Sequence, residues 1–198
     1  MTDQTIESND ITSLLTAVRG CTLCEGLALG PKPILQLNPK AKILIAGQAP
    51  GRKNHYKGIP FDDPSGDRLR SWMGVDRRVF YDASQIAILP MAFCYPGTGK
   101  GGDLAPPTQC AEHWRSALLS LLPNLELSLI IGQYALDWHL PGRARSTVTE
   151  TVSQWQHYWP QILPMPHPSP RNNRWLKTNP WFANEVLPVL KQQITALL

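Results

Sequence analysis

The chain has 198 residues, 42% of them hydrophobic, with a formal charge of +4 and a pI near 9.0. That length suits one compact domain, 11–198, behind a short flexible tail, 1–10. No apolar run approaches the roughly 18–20 residues of a membrane span, and Met1 to Asp10 is too polar and acidic for a secretory signal. The expectation is a cytoplasmic, monomeric protein with no membrane contact. A mild basic excess permits an acidic partner without demanding one. Nineteen prolines and seven tryptophans point instead to many fixed turns in ordered loops.

In chain order, Ile11, Leu14, Leu15 and Val18 have the spacing of one helix face, and Gly20 reads as the C-cap of a helix ending at Arg19. Cys21-Thr-Leu-Cys24 opens a Gly/Pro loop to Pro39. Ala41–Ala46 is a short apolar run bounded by turn residues, the pattern of a buried strand. It breaks into Gly47-Gln48-Ala49-Pro50-Gly51, a tight loop where ligands sit in open α/β sheets. Arg52 to Gly66 is long and polar. Arg68, Leu69, Trp72 and Met73 suggest a helix closed by Gly74. Ile86 to Phe93 reads as a second strand, and Pro90 inside it argues for an irregular or edge position. Cys94 to Gln109 is a Gly/Pro loop, and Cys110–Leu122 a helix closed by Pro123. Leu127–Ile131 is a third strand, and Gly132 opens a helix through Trp138. Gln161–Pro164 is a fourth strand running into His167-Pro-Ser-Pro-Arg171-Asn172. Asn179–Leu198 is the final helix, with Pro180 at its start. This alternation predicts an α/β fold: a largely parallel sheet with helices on both faces.

The four cysteines are Cys21, Cys24, Cys94 and Cys110. A C-x2-C on a loop can grip one metal from two sides. Disulfides are disfavoured in the expected compartment, so the set suits zinc or an iron–sulfur cluster. The second C-x2-C of a zinc ribbon is absent, and spacing alone leaves the two metals open.

Cys21-x2-Cys24, Gly47-Gln-Ala-Pro-Gly51, Gly58-Ile-Pro-Phe61, Cys94, Cys110 and His167-Pro-Ser-Pro-Arg171 occur in the order seen in uracil-DNA glycosylases. The chain most resembles the iron–sulfur bacterial and archaeal branches of that superfamily, from about residue 14 to the last helix. The resemblance implies a three-layer α/β/α fold around a four-stranded parallel sheet. It also implies a [4Fe–4S] cluster on the four cysteines, with zinc as the alternative. The implied partner is DNA carrying a deaminated base, uracil first, whose N-glycosidic bond is hydrolysed after the base flips out of the stack. Gly47, Gln48, Ala49, Pro50 and Gly51 would line the base pocket, with Gln48 near the base or the attacking water. Phe61 would stack on the flipped base. His167 would donate a hydrogen bond to the base oxygen as charge develops there. Ser169, Arg171 and Asn172 would touch flanking phosphates. Arg52, Lys53, Lys57, Arg68, Arg70, Arg77 and Arg78 would track the backbone if they share a face.

The chain departs from the family pattern in three places. Gln48 stands where the uracil-removing iron–sulfur branch has a carboxylate, and a glutamine cannot act as a base. Asp62 or Asp63, just beyond Phe61, would have to substitute. Pro90 stands where uracil-specific members carry a base-reading Asn. The last motif is closer to the single-strand-selective branch. The first two departures, at Gln48 and Pro90, motivate a rival of another class: a non-catalytic DNA-binding or damage-sensing module on the same fold.

Overall fold

The computed structural model describes residues 3–143 and 146–198, with side chains from residue 11 onward. In chain order the elements are α1 (Asp3–Arg19), β1 (Ile43–Ala46), α2 (Arg52–Lys57), α3 (Pro64–Met73), α4 (Arg77–Phe80) and β2 (Ile86–Ile88). A small hairpin follows, β3 (Thr98–Gly99) and β4 (Gly102–Asp103), then α5 (Thr108–Ser120), β5 (Leu127–Ile131) and α6 (Gln133–His139). The chain ends with α7 (Val148–Ser153), β6 (Ile162–Met165), α8 (Asn173–Thr178) and α9 (Leu187–Leu197).

Four strands form one sheet in the order β2-β1-β5-β6, and every pairing is parallel. The period of two along each strand sorts side chains to opposite faces. Ile43, Ile45, Ile86, Ile88, Leu129 and Met165 pack on one side with α3, α9 and Val152 of α7. Leu44, Ala87 and Leu89 pack on the other with Val18 of α1 and Leu118 of α5, and Ala46 and Ile130 pack with α6. The strands are buried from both faces, which is why they read as continuous apolar runs. The expected three-layer α/β/α architecture is present.

Several boundaries differ from the expectation. α1 begins at Asp3, ahead of the Ile11 start that the apolar spacing marks; residues 3–10 carry no apolar stripe, and Met1 and Thr2 lie outside the described residues. β2 stops at Ile88, two residues before Pro90. As Pro90 suggested, β2 is an edge strand. The chain beyond still follows β1: Leu89 N–H donates to Ile45 O (2.9 Å), Met91 N–H to Gly47 O (2.8 Å) and Ala92 N–H to Gln48 O (3.0 Å). This irregular continuation pins the glycine loop. The long polar stretch Arg52 to Gly66 contains α2 and the start of α3. The last helix carries a π-helical segment, Phe182–Val186, ahead of α9. Phe182 there is fully buried, its ring edge-on to Trp72 at 5.1 Å.

Candidate active site

A cleft of about 590 Å³ opens where β1 and β6 end, the position that parallel-sheet topology favours for ligands. Its walls are Gln48, Ala49 and Gly51 from the glycine loop, Phe61 and Asp63, the turn from His167 to Asn172, and the tip of the β3–β4 hairpin. Residues distant in sequence therefore meet, as the motif order implied.

Phe61 is held from behind. Its φ is +53°, a rare conformation for a side-chain-bearing residue. Arg70 Nη1 donates to its carbonyl at 3.2 Å, and its ring meets Phe80 edge-on at 6.3 Å. A Cβ on Gly66 would run into the Phe61 backbone, and one on Gly47 would come within 3.3 Å of the ring. Glycine at both positions lets the ring lie close over the loop. Phe61 is thus half core residue and half pocket wall.

Asp63 caps α3: its Oδ1 accepts from Gly66 N–H at 2.9 Å, with Pro64 at the first helical position. Its Oδ2 accepts from Asn54 Nδ2 at 3.2 Å. Gln48 donates through Nε2 to Leu104 O at 2.9 Å, tying the glycine loop to the segment after the hairpin.

His167 has a defined tautomer. Nδ1 accepts from Ser169 N–H at 3.1 Å, so the proton of the neutral ring sits on Nε2. Burial lowers the imidazole's pKa and outweighs the opposing pull of Asp63, keeping the ring neutral. Nε2–H has no protein acceptor among the described residues, and His167 lines the cleft. Asn172 Nδ2 donates to His167 O at 2.7 Å, and Ser169 Oγ accepts from Arg171 N–H at 3.2 Å. Arg68 Nη1 braces the turn through Ser169 O at 3.0 Å. Arg171 is exposed, its Nη1 3.4 Å from Gly101 O.

Other expected site residues lie elsewhere. Asp62 is bonded to Arg77 Nη1 (2.6 Å) and Lys57 Nζ (2.9 Å), which lower its pKa, and it is outside the cleft lining. It forms a surface ion-pair cluster, whereas Asp63, the next residue, faces the cleft. Gly47 and Pro50 are buried beneath the loop surface. Of the seven basic residues, Lys57 and Arg77 serve Asp62, Arg70 is buried on Asp67 and Phe61 O, and Arg68 braces the Ser169 turn. Arg52 lies over Tyr56, Lys53 lines the cleft, and Arg78 is exposed outside the cleft lining. Trp175 and Trp181 pack edge-on with each other and with Phe182, so both serve the core, although Trp175 also borders a neighbouring cavity of about 240 Å³.

Two polar cleft residues had no sequence signal strong enough to single them out, Asn54 of α2 and Asp103 of the hairpin, whereas Lys53 was among the expected basic groups. Asn54 sits three positions after Gly51, the spacing of one helical turn, but only a helix over Arg52–Lys57 turns it inward. Asp103 was hidden in a Gly/Pro-rich connector.

A second, enclosed cavity is lined by all four cysteines, with Pro31, Pro33, Pro107, Ala92 and Phe93 around them. The thiols are free, and Trp114 Nε1 donates to Cys21 Sγ at 3.2 Å. Burial raises the pKa of Cys24, Cys94 and Cys110, the last to about 12, and repulsion between the neighbouring sulfurs adds to each shift. Among the described residues no group of three or more His, Cys, Asp or Glu side chains is set to hold a single metal ion. No described helix is long and apolar enough to cross a membrane.

A family model for the uracil DNA glycosylase superfamily matches residues 35–191. The match takes in the glycine loop, Phe61, Asp63 and the His167 turn, and leaves Cys21 and Cys24 outside it. With the parallel sheet, the cleft at its carboxyl end and more than half the chain matched, the protein belongs to the uracil DNA glycosylase superfamily.

Proposed function

We propose that the protein is a DNA-repair glycosylase that hydrolyses the N-glycosidic bond of a deaminated base, uracil first, after the base flips from DNA into the cleft. The observation that carries this reading is the meeting of Phe61, Asp63 and a neutral His167 around one cavity. Bond breaking leaves positive charge on the sugar and negative charge on the base. Asp63, aligned by Gly66 and Asn54, stabilises the sugar cation. His167 Nε2–H meets the base oxygen as it gains charge, and a donor already oriented costs no reorganisation at that moment. The Phe61 ring offers a flat face for the base. Asp63 thereby supplies the carboxylate that the glycine loop lacks at Gln48. Lys53, Arg171 and the Ser169 turn are placed to meet phosphates beside the flipped nucleotide.

The four thiols suit a [4Fe–4S] cluster by their chemistry: four sulfur donors line one apolar cavity. When bound, the cluster would act as a structural cross-link, with Cys21 and Cys24 after α1 and Cys94 and Cys110 around the hairpin loop as its ligands.

The test is incubation of the purified protein with single- and double-stranded oligonucleotides carrying uracil, hypoxanthine or xanthine. Abasic sites in at least one strand are the expected outcome. Binding to these strands with no abasic site in any of them would overturn the reading in favour of a damage-sensing module.

A further inference from the structure

Gly51 does not need to be glycine for its backbone. Its φ of −75° and ψ of 169° lie in the extended region open to any residue. Nor would protein atoms exclude a side chain. A Cβ there would meet Asp103 Oδ2 at 3.5 Å, Asp63 Oδ2 at 3.9 Å and Asn54 Nδ2 at 4.0 Å, all ordinary contacts. What a Cβ would occupy is a small space faced by three polar groups. Polar spaces with two to four hydrogen-bonding neighbours are where proteins hold water. Asn54, only 4% exposed, lines the cleft and turns its Nδ2 toward this space while donating to Asp63 Oδ2 at 3.2 Å.

The two carboxylates beside this space differ. Both oxygens of Asp63 are engaged, by Gly66 N–H and Asn54 Nδ2, which suits a fixed anion. Asp103 accepts no hydrogen bond among the described residues, and its carboxylate faces the space from the hairpin. When two carboxylates occupy one site in different environments, they divide the roles between them.

We propose that the space beside Gly51 holds the attacking water and that Asp103 is the base that takes its proton. This proposal rests on the glycosylase reading and assigns the hydrolytic half of it. The water oxygen bonds to C1′ of the deoxyribose as the C1′–N bond breaks. The bonding pair leaves with the base as an anion, held at its oxygen by His167 Nε2–H, and the water proton passes to Asp103. The products are a C1′-hydroxyl abasic sugar and a free base anion, which takes a proton from the medium. Partial cover at the cleft rim raises the Asp103 pKa, Arg171 opposes that rise, and the Asp63 charge adds to it. The other charged or titratable groups of the cleft are Lys53 on α2 and His167.

The experiment compares wild type, Asp103→Asn, Asp103→Glu and Gly51→Ala. It measures single-turnover cleavage of a strand carrying a deaminated nucleotide that the wild type cleaves, and binding to the same strand made uncleavable by a 2′-fluoro group. Asp103→Asn is expected to slow cleavage at least about 100-fold and to abolish the acidic limb of the pH–rate profile, with binding unchanged. Asp103→Glu should recover part of the rate. Gly51→Ala should slow cleavage about 10-fold or more, with little change in binding, as expected for a group that acts only in the transition state. Melting temperatures matching wild type exclude misfolding. If Asp103→Asn or Gly51→Ala cleaves like wild type, the proposal falls while the glycosylase reading stands. If wild type cleaves no strand, both fall.

Discussion

The two cavities of this protein are built in opposite ways. The cysteine cavity is closed and apolar, and three of its four thiols are held above their ordinary pKa by burial and by one another. The cleft beside the glycine loop is open, and most of its polar groups are already oriented by a second partner. An apolar cavity lined by four thiols suits a resident group that enters once, on folding. An open cleft with pre-set donors suits a ligand that enters and leaves at every turnover. One element links the two. Arg115, 1% exposed, donates through Nη1 to Leu89 O (2.9 Å) and Pro90 O (3.1 Å), the segment that leads from the glycine-loop ladder to Cys94. Arg115 in turn contacts His139 Nε2 and stacks over Trp138 at 5.0 Å.

If the two regions divide labour in this way, damage to one should spare the other. The largest expected effect is at the cysteines. On the proposed [4Fe–4S] assignment, Cys110→Ser should lack the iron, and the absorbance near roughly 400 nm, that the wild type then carries. A lost structural centre worth about 3 kcal/mol would lower the melting temperature by roughly 6–12 °C. Metal analysis and a thermal scan check this; iron content equal to wild type would break the comparison. Next is His167→Ala, which should lower kcat about 10²–10³-fold and leave iron content and melting temperature unchanged. A parallel loss of iron would mean that the cleft and the sulfur cavity form one unit.

The smallest effect lies in the link between the regions. Burial, with the Arg115 charge, lowers the His139 pKa from 6.5 to about 3. The folded state therefore keeps His139 neutral while the unfolded chain takes up a proton. The stability this contributes is whole above pH 6.5 and is lost progressively as the pH falls toward 3. The lowered pKa of His167 acts in the same direction. Urea midpoints should fall between pH 7 and pH 5, and His139→Gln should flatten that fall. An unchanged slope would remove His139 from the account.

How much of this was legible beforehand depends on the distance over which each feature is encoded. β1, its glycine loop and the final helix are written in neighbouring residues: an apolar run, then turn residues, then a 3.6-residue stripe. The four cysteines line one cavity, a meeting that the family resemblance implied. The facing of loop side chains did not work that way. Asp62 and Asp63 are adjacent and chemically identical, so no local pattern separates them. Asp62 is drawn outward by Lys57 and Arg77, and Asp63 is turned inward by capping α3.

The sequence by itself determined the strands, the order of motifs around the sheet and the types of side chain available for chemistry, because those follow from short-range periodicity and turn preference. Only the tertiary structure decided which carboxylate reaches the cleft, that the hairpin brings Asp103 to Gly51, and that the basic residues after the first motif are largely spent on protein partners. Each of those depends on a contact between segments far apart in the chain, and such contacts exist only after the layers have packed.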